Sequence, residues 1–205
     1  PYEARVAGSI PVGTIFFFKY LANLKMELNN CINKQEKGIT YQLNINKLTA
    51  KVIKSPSASG DIFIPFSIIY NTSEYRITKI TKNSFSENNK IRSITFPENS
   101  ALEVIENESF SYSSIERIFI PPKVNELQDG WLNHTSKLRT ITISPSNSHF
   151  QYDKEQNFIF GRTDSKSSIF DCIKYANRSI SMAQIPPFIK HIDSYSFSYC
   201  SSLKV

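Results

Sequence analysis

The sequence is poor in the side chains that most often perform catalysis or bind metals, since its 205 residues include only three histidines, three cysteines and one tryptophan. An odd number of cysteines does not suit a disulfide framework, and the spacing of Cys31, Cys172 and Cys200 matches no zinc-binding pattern. For Cys200, packing in the core is favoured over a reactive thiol. No P-loop, dinucleotide-binding or nucleophile-elbow motif is present.

The histidines are also scattered, at His134, His149 and His191. No two of them are three or four residues apart on a common element, so we expect surface histidines rather than metal ligands. The closely spaced acidic residues, such as Glu103 and Glu106, have neither the setting nor the spacing of a buried acid–base pair. The sequence therefore predicts a protein that is not an enzyme, with no catalytic residue, no metal site and no cofactor.

Positive charge is present but not concentrated. Residues 1–75 carry 8 basic and 5 acidic side chains and residues 76–205 carry 16 and 13, so each part contributes +3 to the net charge of +6. Nucleic-acid-binding proteins cluster their Lys and Arg side chains in a patch or stripe. We therefore expect no nucleic-acid partner, although a mild positive charge favours acidic partners.

The chain also lacks a long apolar run. The longest candidate, Ile10 to Phe18, is followed by Lys19 and is far shorter than the roughly 20 residues of a membrane-spanning helix. It has a faint likeness to a signal peptide, but no small-residue cleavage site follows it. Residues 1–38 are interpreted as a poorly ordered or non-native leader, with Met26 as an alternative natural start. Membrane association is expected only through segments outside this fragment.

The middle of the chain, in contrast, repeats one phrase three times. The copies read ITKITKNSFSENNKIRSITFP, LEVIENESFSYSSIERIFIP and VNELQDGWLNHTSKLRTITISP. They end at Pro97, Pro121 and Pro145, a step of 24 residues each time. A fixed period of roughly 20 to 50 residues is the signature of a solenoid. A β-sandwich with regularly spaced turns is the alternative, but a sandwich does not require the same aromatic residue at the same phase.

Each copy contains the same local pattern. Short alternating runs such as Ile94-Thr95-Phe96 predict strands, and the proline that follows ends each strand. Three columns of apolar residues predict the core when the copies are aligned: Ile80, Ile105 and Leu127; Phe85, Phe110 and Trp131; Ile94, Ile118 and Ile141.

A Ser-Phe pair marks the turn at Ser84-Phe85, Ser109-Phe110 and Ser196-Phe197, with Gly130-Trp131 as a departure. With Ile-Pro after the strand, this pattern resembles the BspA-like leucine-rich repeats over roughly residues 39 to 205. The resemblance implies a β-rich leucine-rich-repeat solenoid of right-handed stacked repeats of about 23–24 residues, with short parallel strands and an N-terminal β-hairpin cap.

The phase of the repeat divides the chain into segments. Residues 39–60 are predicted to form the capping hairpin and residues 61–145 the leucine-rich repeats. Residues 146–184 interrupt the phase and are predicted to be a hairpin insertion at the solenoid edge. Residues 185–205 restore the phrase as a further repeat, truncated inside a strand. Three short strands are expected in the insertion, at Phe150–Tyr152, Phe158–Phe160 and Ile169–Tyr175.

Five residues are candidates for protein binding. Thr95, Phe119 and Thr142 are expected on the exposed side of the repeat strands. Tyr70 and Tyr75 flank a predicted hairpin tip, where they either contact a partner or face each other across the hairpin and only stabilise it, the second being favoured.

Four Asn-x-Ser/Thr sequons occur at predicted turns, at Asn71, Asn107, Asn133 and Asn177. Glycosylation there would agree with a surface location, whereas chance occurrence is the alternative because Asn and Ser are abundant.

The resemblance implies a non-enzymatic adhesin or surface antigen, as in oral bacteria and parasitic protists, which binds host or neighbouring-cell proteins at the cell surface or after secretion. An intracellular, cytoplasmic scaffold built on the same repeat is the alternative, because it fits the odd number of cysteines and the missing clear signal. An enzyme with a repeat appendage would require a further domain.

Overall fold

The computed structural model describes residues 30–164 and 167–204, and the interpretation of residues 1–29 as part of a leader lies outside them. Within these two ranges the chain forms strands and turns but no helix. The strands, in chain order, are β1 (Cys31–Glu36), β2 (Ile39–Asn44), β3 (Thr49–Ile53), β4 (Gly60–Phe63), β5 (Ser67–Tyr70), β6 (Ser73–Ile80), β7 (Ile91–Thr95), β8 (Val104–Ile105), β9 (Arg117–Ile120), β10 (Glu126–Leu127), β11 (Thr140–Ile143), β12 (Gln151–Tyr152), β13 (Phe158–Gly161), β14 (Cys172–Ala176) and β15 (His191–Ile192).

Successive coils of the chain contribute strands to two parallel arrays. The first sheet has the order β1-β2-β3-β6-β8-β10, with β5 paired to β6, and the second has the order β11-β9-β7-β4. In the first sheet Ile80 pairs with Ile105, which pairs with Leu127. In the second sheet Ile94, Ile118 and Ile141 are in register. The predicted solenoid and two of its three apolar columns are thereby confirmed.

The third predicted column was wrong by one residue in the third copy. The amide of Phe85 donates to the carbonyl of Ser109, and the amide of Phe110 donates in the same way to the carbonyl of Trp131. Trp131 therefore occupies the serine position, and Leu132 occupies the position of the two phenylalanines. The large aromatic side chain of Trp131 suggested otherwise, but the hydrogen bonds between coils decide the alignment.

A turn of fixed geometry closes each coil beside this column. Two residues four positions apart adopt positive φ in every copy, such as Asn83 and Glu87 in the first. Between them, the buried serine of the Ser-Phe pair donates its hydroxyl to the carbonyl three residues earlier. These bonds are 2.7 Å for Ser84, 2.8 Å for Ser109 and 2.7 Å for Ser196. The same carbonyls also accept the amide of the serine, so the hydroxyl adds a second hydrogen bond that fixes the turn.

The N-terminal cap contains one strand more than the predicted hairpin of residues 39–60. β1 pairs antiparallel with β2, and β2 pairs antiparallel with β3, which then begins the parallel stack against β6. The extra strand begins at Cys31, before the boundary placed at residue 38. Its sequence, CINKQE, lacks the apolar alternation of β2, because β1 at the edge of the sheet buries little.

Residues 146–184 also differ from a hairpin that projects from an edge. β12, β13 and β14 pair antiparallel close to the predicted strand positions, but β14 then pairs in parallel with β15. β13 is buried on both faces, because Ile159 joins the main apolar core whereas Phe158 and Phe160 belong to a second cluster. We call β13 and β14 the dividing hairpin, since it separates the two cores.

Candidate protein-binding surface

The outer face of the second sheet presents a row of four aligned side chains. Phe63 pairs with Thr95, and Phe119 pairs with Thr142. Ile94 pairs with Ile118, so Thr95 and Phe119 are also neighbours. Side chains alternate between the faces of a strand, so these residues point away from the isoleucines of the core. We call Phe63, Thr95, Phe119 and Thr142 the binding row.

The binding row is accessible to a partner. Phe63 is 59 % exposed, although burial of a phenylalanine side chain normally stabilises a folded protein. Thr95 and Thr142 are exposed, and Phe119 is half-buried against the core. A shallow depression of about 360 Å³ surrounds Phe119 and is lined by residues of β7, β9 and β11 and by Phe96 and Glu98. The structure therefore brings together the three strand residues that the sequence predicted for binding.

An ionic network borders one side of the binding row. Asp61 accepts hydrogen bonds from the Nε of Arg92 at 3.0 Å and from the hydroxyl of Ser93 at 2.6 Å. Arg117 also lies 3.3 Å from the same carboxylate. The hydrogen bonds from Arg92 and then Ser93 hold the pKa of Asp61 well below its usual range. An apolar centre beside a charged border is the common composition of a protein-binding surface.

The two tyrosines of the predicted hairpin do not join this surface. Tyr75 is buried and pairs with Ile68, while Tyr70 is partly buried against the core and pairs with Ser73. The hairpin itself is present, with Asn71 and Thr72 at its tip. Tyr75 is therefore excluded as a contact residue, because a binding side chain must be accessible. The expectation that the two tyrosines face each other across the hairpin was also wrong, because the turn has only two residues and the register pairs each tyrosine with another residue.

The four sequons differ in accessibility. Asn71 is exposed at the hairpin tip, and Asn107 and Asn177 are partly exposed. Asn133 is buried, and its side-chain oxygen accepts a hydrogen bond of 3.0 Å from Ser198. Glycosylation of Asn133 in the folded chain is therefore excluded, because the glycan would have to displace this contact.

A second exposed surface was not anticipated from the sequence. The rings of Tyr112 and His134 stack at 4.3 Å, and the ring of Tyr199 meets His134 edge-on at 5.4 Å. All three residues occupy the second positive-φ position of their turns. The equivalent position in the first copy is Glu87, so no aromatic column was visible in the aligned sequences. His134 is consequently in ring contact with the tyrosines of two other turns.

The outer face of the first sheet is predominantly basic. A depression of about 550 Å³ is bordered by two glutamates, Glu103 and Glu106, and by five basic residues. The basic residues are Lys47, Lys51, Arg76, Lys79 and Lys123. The positive charge of Lys79 is balanced by Glu106, because Nζ of Lys79 lies 3.0 Å from Oε1 of Glu106. The even distribution of charge along the sequence concealed this face, because strands from distant segments assemble it.

One set of potential metal ligands also comes together among residues 30–164 and 167–204. The side chains of Cys172, His191 and Asp193 converge between β14 and β15. The expectation of no metal site rested on spacing along the sequence, which does not reveal residues that parallel pairing places side by side.

With this geometry established, comparison with protein families identifies the repeat. The family model described as "BspA type Leucine rich repeat region" matches in 6 copies, over residues 61–156 and 156–205. The chain belongs to the BspA type leucine-rich repeat family. The resemblance seen in the sequence is thereby confirmed, and the family assignment fits a non-enzymatic repeat protein for protein interaction.

Several solved structures resemble this BspA type chain. The pneumococcal vaccine antigen PcpA matches with a TM-score of 0.48 and 16 % identity, over 84 % of this chain and 63 % of that chain. A leucine rich cell surface protein from Faecalibacterium prausnitzii has a TM-score of 0.39 and 14 % identity, over 84 % and 69 %. A leucine-rich repeat protein from Bacteroides capillosus has a TM-score of 0.37 and 23 % identity, over 55 % and 98 %. The chain thus spans less than two thirds of the length of PcpA.

The search of curated proteins produced no significant match to this BspA type chain. In the part of the chain that the structure describes, no helix has the length and apolar character needed to cross a membrane.

Proposed function

We propose that this chain is the binding part of a non-enzymatic cell-surface protein of the adhesin or surface antigen type. Its binding row would contact proteins of a host or of neighbouring cells. The observation that carries the proposal is the exposure of Phe63 in the same row as Phe119, with Thr95 between them, on an otherwise regular sheet face. Among the residues that the structure describes, no packing requirement explains an exposed phenylalanine there, whereas a partner that covered it would gain apolar contact.

The architecture supports binding by a large and rigid surface. The inner strands β7 and β9 of the second sheet each pair with two neighbours, and the outer strands β4 and β11 each pair with one. The binding row thus lies on one continuous sheet and changes little when a partner docks. Aromatic side chains near the centre of an interface often contribute most of the binding free energy. We therefore expect Phe63 and Phe119 to contribute more to affinity than Thr95 and Thr142, which border them.

A location at the cell surface is supported by the accessible sequon at Asn71. This asparagine is exposed at the tip of a two-residue turn, where a glycan would meet no neighbouring side chain of the core. Glycosidase treatment of the native protein, combined with surface biotinylation of intact cells, tests the location. Biotin labelling and a mobility shift that Asn71→Gln reduces are expected. Absence of both would contradict the surface location.

Binding is tested with the purified chain and intact host or neighbouring cells. A labelled Phe63→Ser/Phe119→Ser variant should bind to these cells at least tenfold less than the unchanged chain, because each phenylalanine contributes roughly 1 kcal/mol or more at an interface centre. Ile69→Ser is the matched control, since Ile69 is 57 % exposed but lies in β5 of the first sheet. Equal loss of binding in both variants would contradict a role for the binding row.

An intracellular scaffold is the second candidate function. Cys31, Cys172 and Cys200 are all free thiols, as is common in a reducing compartment. A cytoplasmic protein of this kind would use the same binding row on an intracellular partner. Unlabelled and unshifted native protein in the surface experiment would favour this alternative.

A further inference from the structure

Cys172, His191 and Asp193 lie together at the junction of β14 and β15. Parallel pairing places Cys172 directly beside His191. Asp193 follows His191 by two residues, so both side chains lie on the same side of the backbone. One ligand atom from each residue lies within 4.8 Å of the other two. A thiol, an imidazole and a carboxylate thus meet at one point, although Cys172 and His191 are 19 positions apart in the sequence.

The two distances from the Asp193 carboxylate to the other ligand atoms are close to those around a bound zinc ion. Oδ1 of Asp193 lies 3.1 Å from Sγ of Cys172 and 3.3 Å from Nε2 of His191. Tetrahedral zinc with ordinary bond lengths keeps its sulfur, nitrogen and oxygen ligands roughly 3.3–3.6 Å apart. The carboxylate oxygen is therefore close to ligand spacing from both partners, and the ligand atoms of Cys172 and His191 lie within 4.8 Å of each other.

Neighbouring groups hold the carboxylate in a suitable orientation. Nζ of Lys174 lies 2.7 Å from Oδ2 of Asp193, so the other oxygen, Oδ1, faces the thiol and the imidazole. The amide of Asp193 donates to the carbonyl of Ile173 at 3.0 Å, which fixes its backbone against β14. A hydrogen-bonded carboxylate of this kind is typical of metal ligands in proteins.

The cluster is also accessible from one side. Cys172 is fully buried and Asp193 is 7 % exposed, whereas the side chain of His191 is 56 % exposed. An ion can therefore reach the cluster past His191 and would then be enclosed by Cys172 and Asp193. A fourth ligand position is left for water.

We propose that Cys172, His191 and Asp193 bind a zinc ion that fastens β15 to β14. A thiolate and an imidazole favour zinc over magnesium or calcium, which take oxygen ligands. A zinc–sulfur bond replaces the hydrogen bond between the Cys172 thiol and Asp193, and the thiol proton passes to solvent. The thiolate and the carboxylate balance the two charges of the ion, while Lys174 remains paired with the second carboxylate oxygen.

The proposal is tested by adding Zn²⁺ or Co²⁺ to chain that has been stripped of metal with a chelator. We expect about one ion per chain after dialysis, a rise in the thermal unfolding midpoint, and a cobalt spectrum with a thiolate charge-transfer band. A cobalt spectrum without this band, or no retained ion, would overturn the proposal.

Variants separate this site from accidental binding elsewhere. His191→Gln should weaken Zn²⁺ binding at least tenfold without unfolding the chain, since the side chain is mostly exposed. Cys172→Ser should abolish the charge-transfer band. His149→Gln and Cys200→Ser are matched controls and should bind zinc like the unchanged chain. Unaltered zinc binding by His191→Gln would refute the site even if Cys172→Ser failed to fold.

Discussion

The rings of Phe85 and Phe110 lie parallel, with their centroids 5.4 Å apart and an angle of 1° between their planes. The two residues occupy the same position in successive coils, so the stack repeats the spacing of the coils themselves. Both side chains are almost fully buried. The stacked pair therefore links neighbouring turns inside the core, where the strands of the two sheets do not reach.

Replacing Phe110 by alanine should destabilise the chain by about 3–5 kcal/mol, because it removes a large side chain from a buried stack and leaves a cavity. Phe63→Ala is the matched control, since Phe63 is 59 % exposed and its replacement should change stability by roughly 0.5 kcal/mol or less. Chemical denaturation of both variants measures the difference. Similar stability losses would contradict the role of the stack.

Two glycines with positive φ allow a controlled comparison of backbone strain. Gly60 has φ of 71° with open space around a Cβ, so Gly60→Ala should cost about 1 kcal/mol of conformational strain alone. Gly130 has φ of 67°, and a Cβ there would lie 3.1 Å from Cδ2 of Tyr195. Gly130→Ala should therefore be more destabilising in thermal denaturation. The excess should disappear in a Tyr195→Ala background, and its persistence would assign the effect to another contact.

Acidification should destabilise the folded chain through His149. Burial, and secondarily the charge of Arg162, lowers the pKa of His149 in the folded state. The unfolded chain therefore takes up a proton at a higher pH than the folded chain does, so stability falls as the pH decreases below the unfolded pKa of about 6.5. Urea denaturation between pH 7 and pH 5 should show a shallower decline for His149→Gln. Identical declines would rule out His149 as the source.

The cysteines should differ in their reaction with a thiol reagent near pH 8. Burial, followed by the hydrogen bond to Asp193, raises the pKa of Cys172 to about 12, so its reactive thiolate is scarce. Cys31 is only partly buried, in the edge strand β1. We expect Cys31 to be modified in the folded chain and Cys172 only after denaturant is added. Peptide mapping by mass spectrometry identifies each site, and early modification of Cys172 would contradict this order.

The repeating apolar pattern was sufficient to predict the coils, because parallel strands place equivalent residues next to one another. Ile94 and Ile118 pair as their columns predicted. The same pattern placed Trp131 one residue out of position, because its large aromatic side chain was aligned with the two phenylalanines. Backbone hydrogen bonds, which do not depend on side-chain identity, were needed to place Leu132 in the phenylalanine column.

The candidate sites were predictable only where alternation along a strand determines exposure. Thr95, Phe119 and Thr142 follow that rule and share one face. Tyr75 follows it too, since it alternates with the exposed Glu74 and Arg76 and lies on the buried face of β6. The meeting of Cys172 and His191 was not predictable, since the phase break after Pro145 left no repeat period from which to infer their pairing.

The dividing hairpin has a mechanical consequence. Ile159 and Phe158 are adjacent in β13, yet they pack into separate apolar clusters on opposite faces. Tension applied between residues 30 and 204 would first peel away the smaller C-terminal cluster, while the larger one stayed folded behind β13 and β14. The force trace of a single molecule would then contain two ruptures, and the binding row would keep its shape after the first of them.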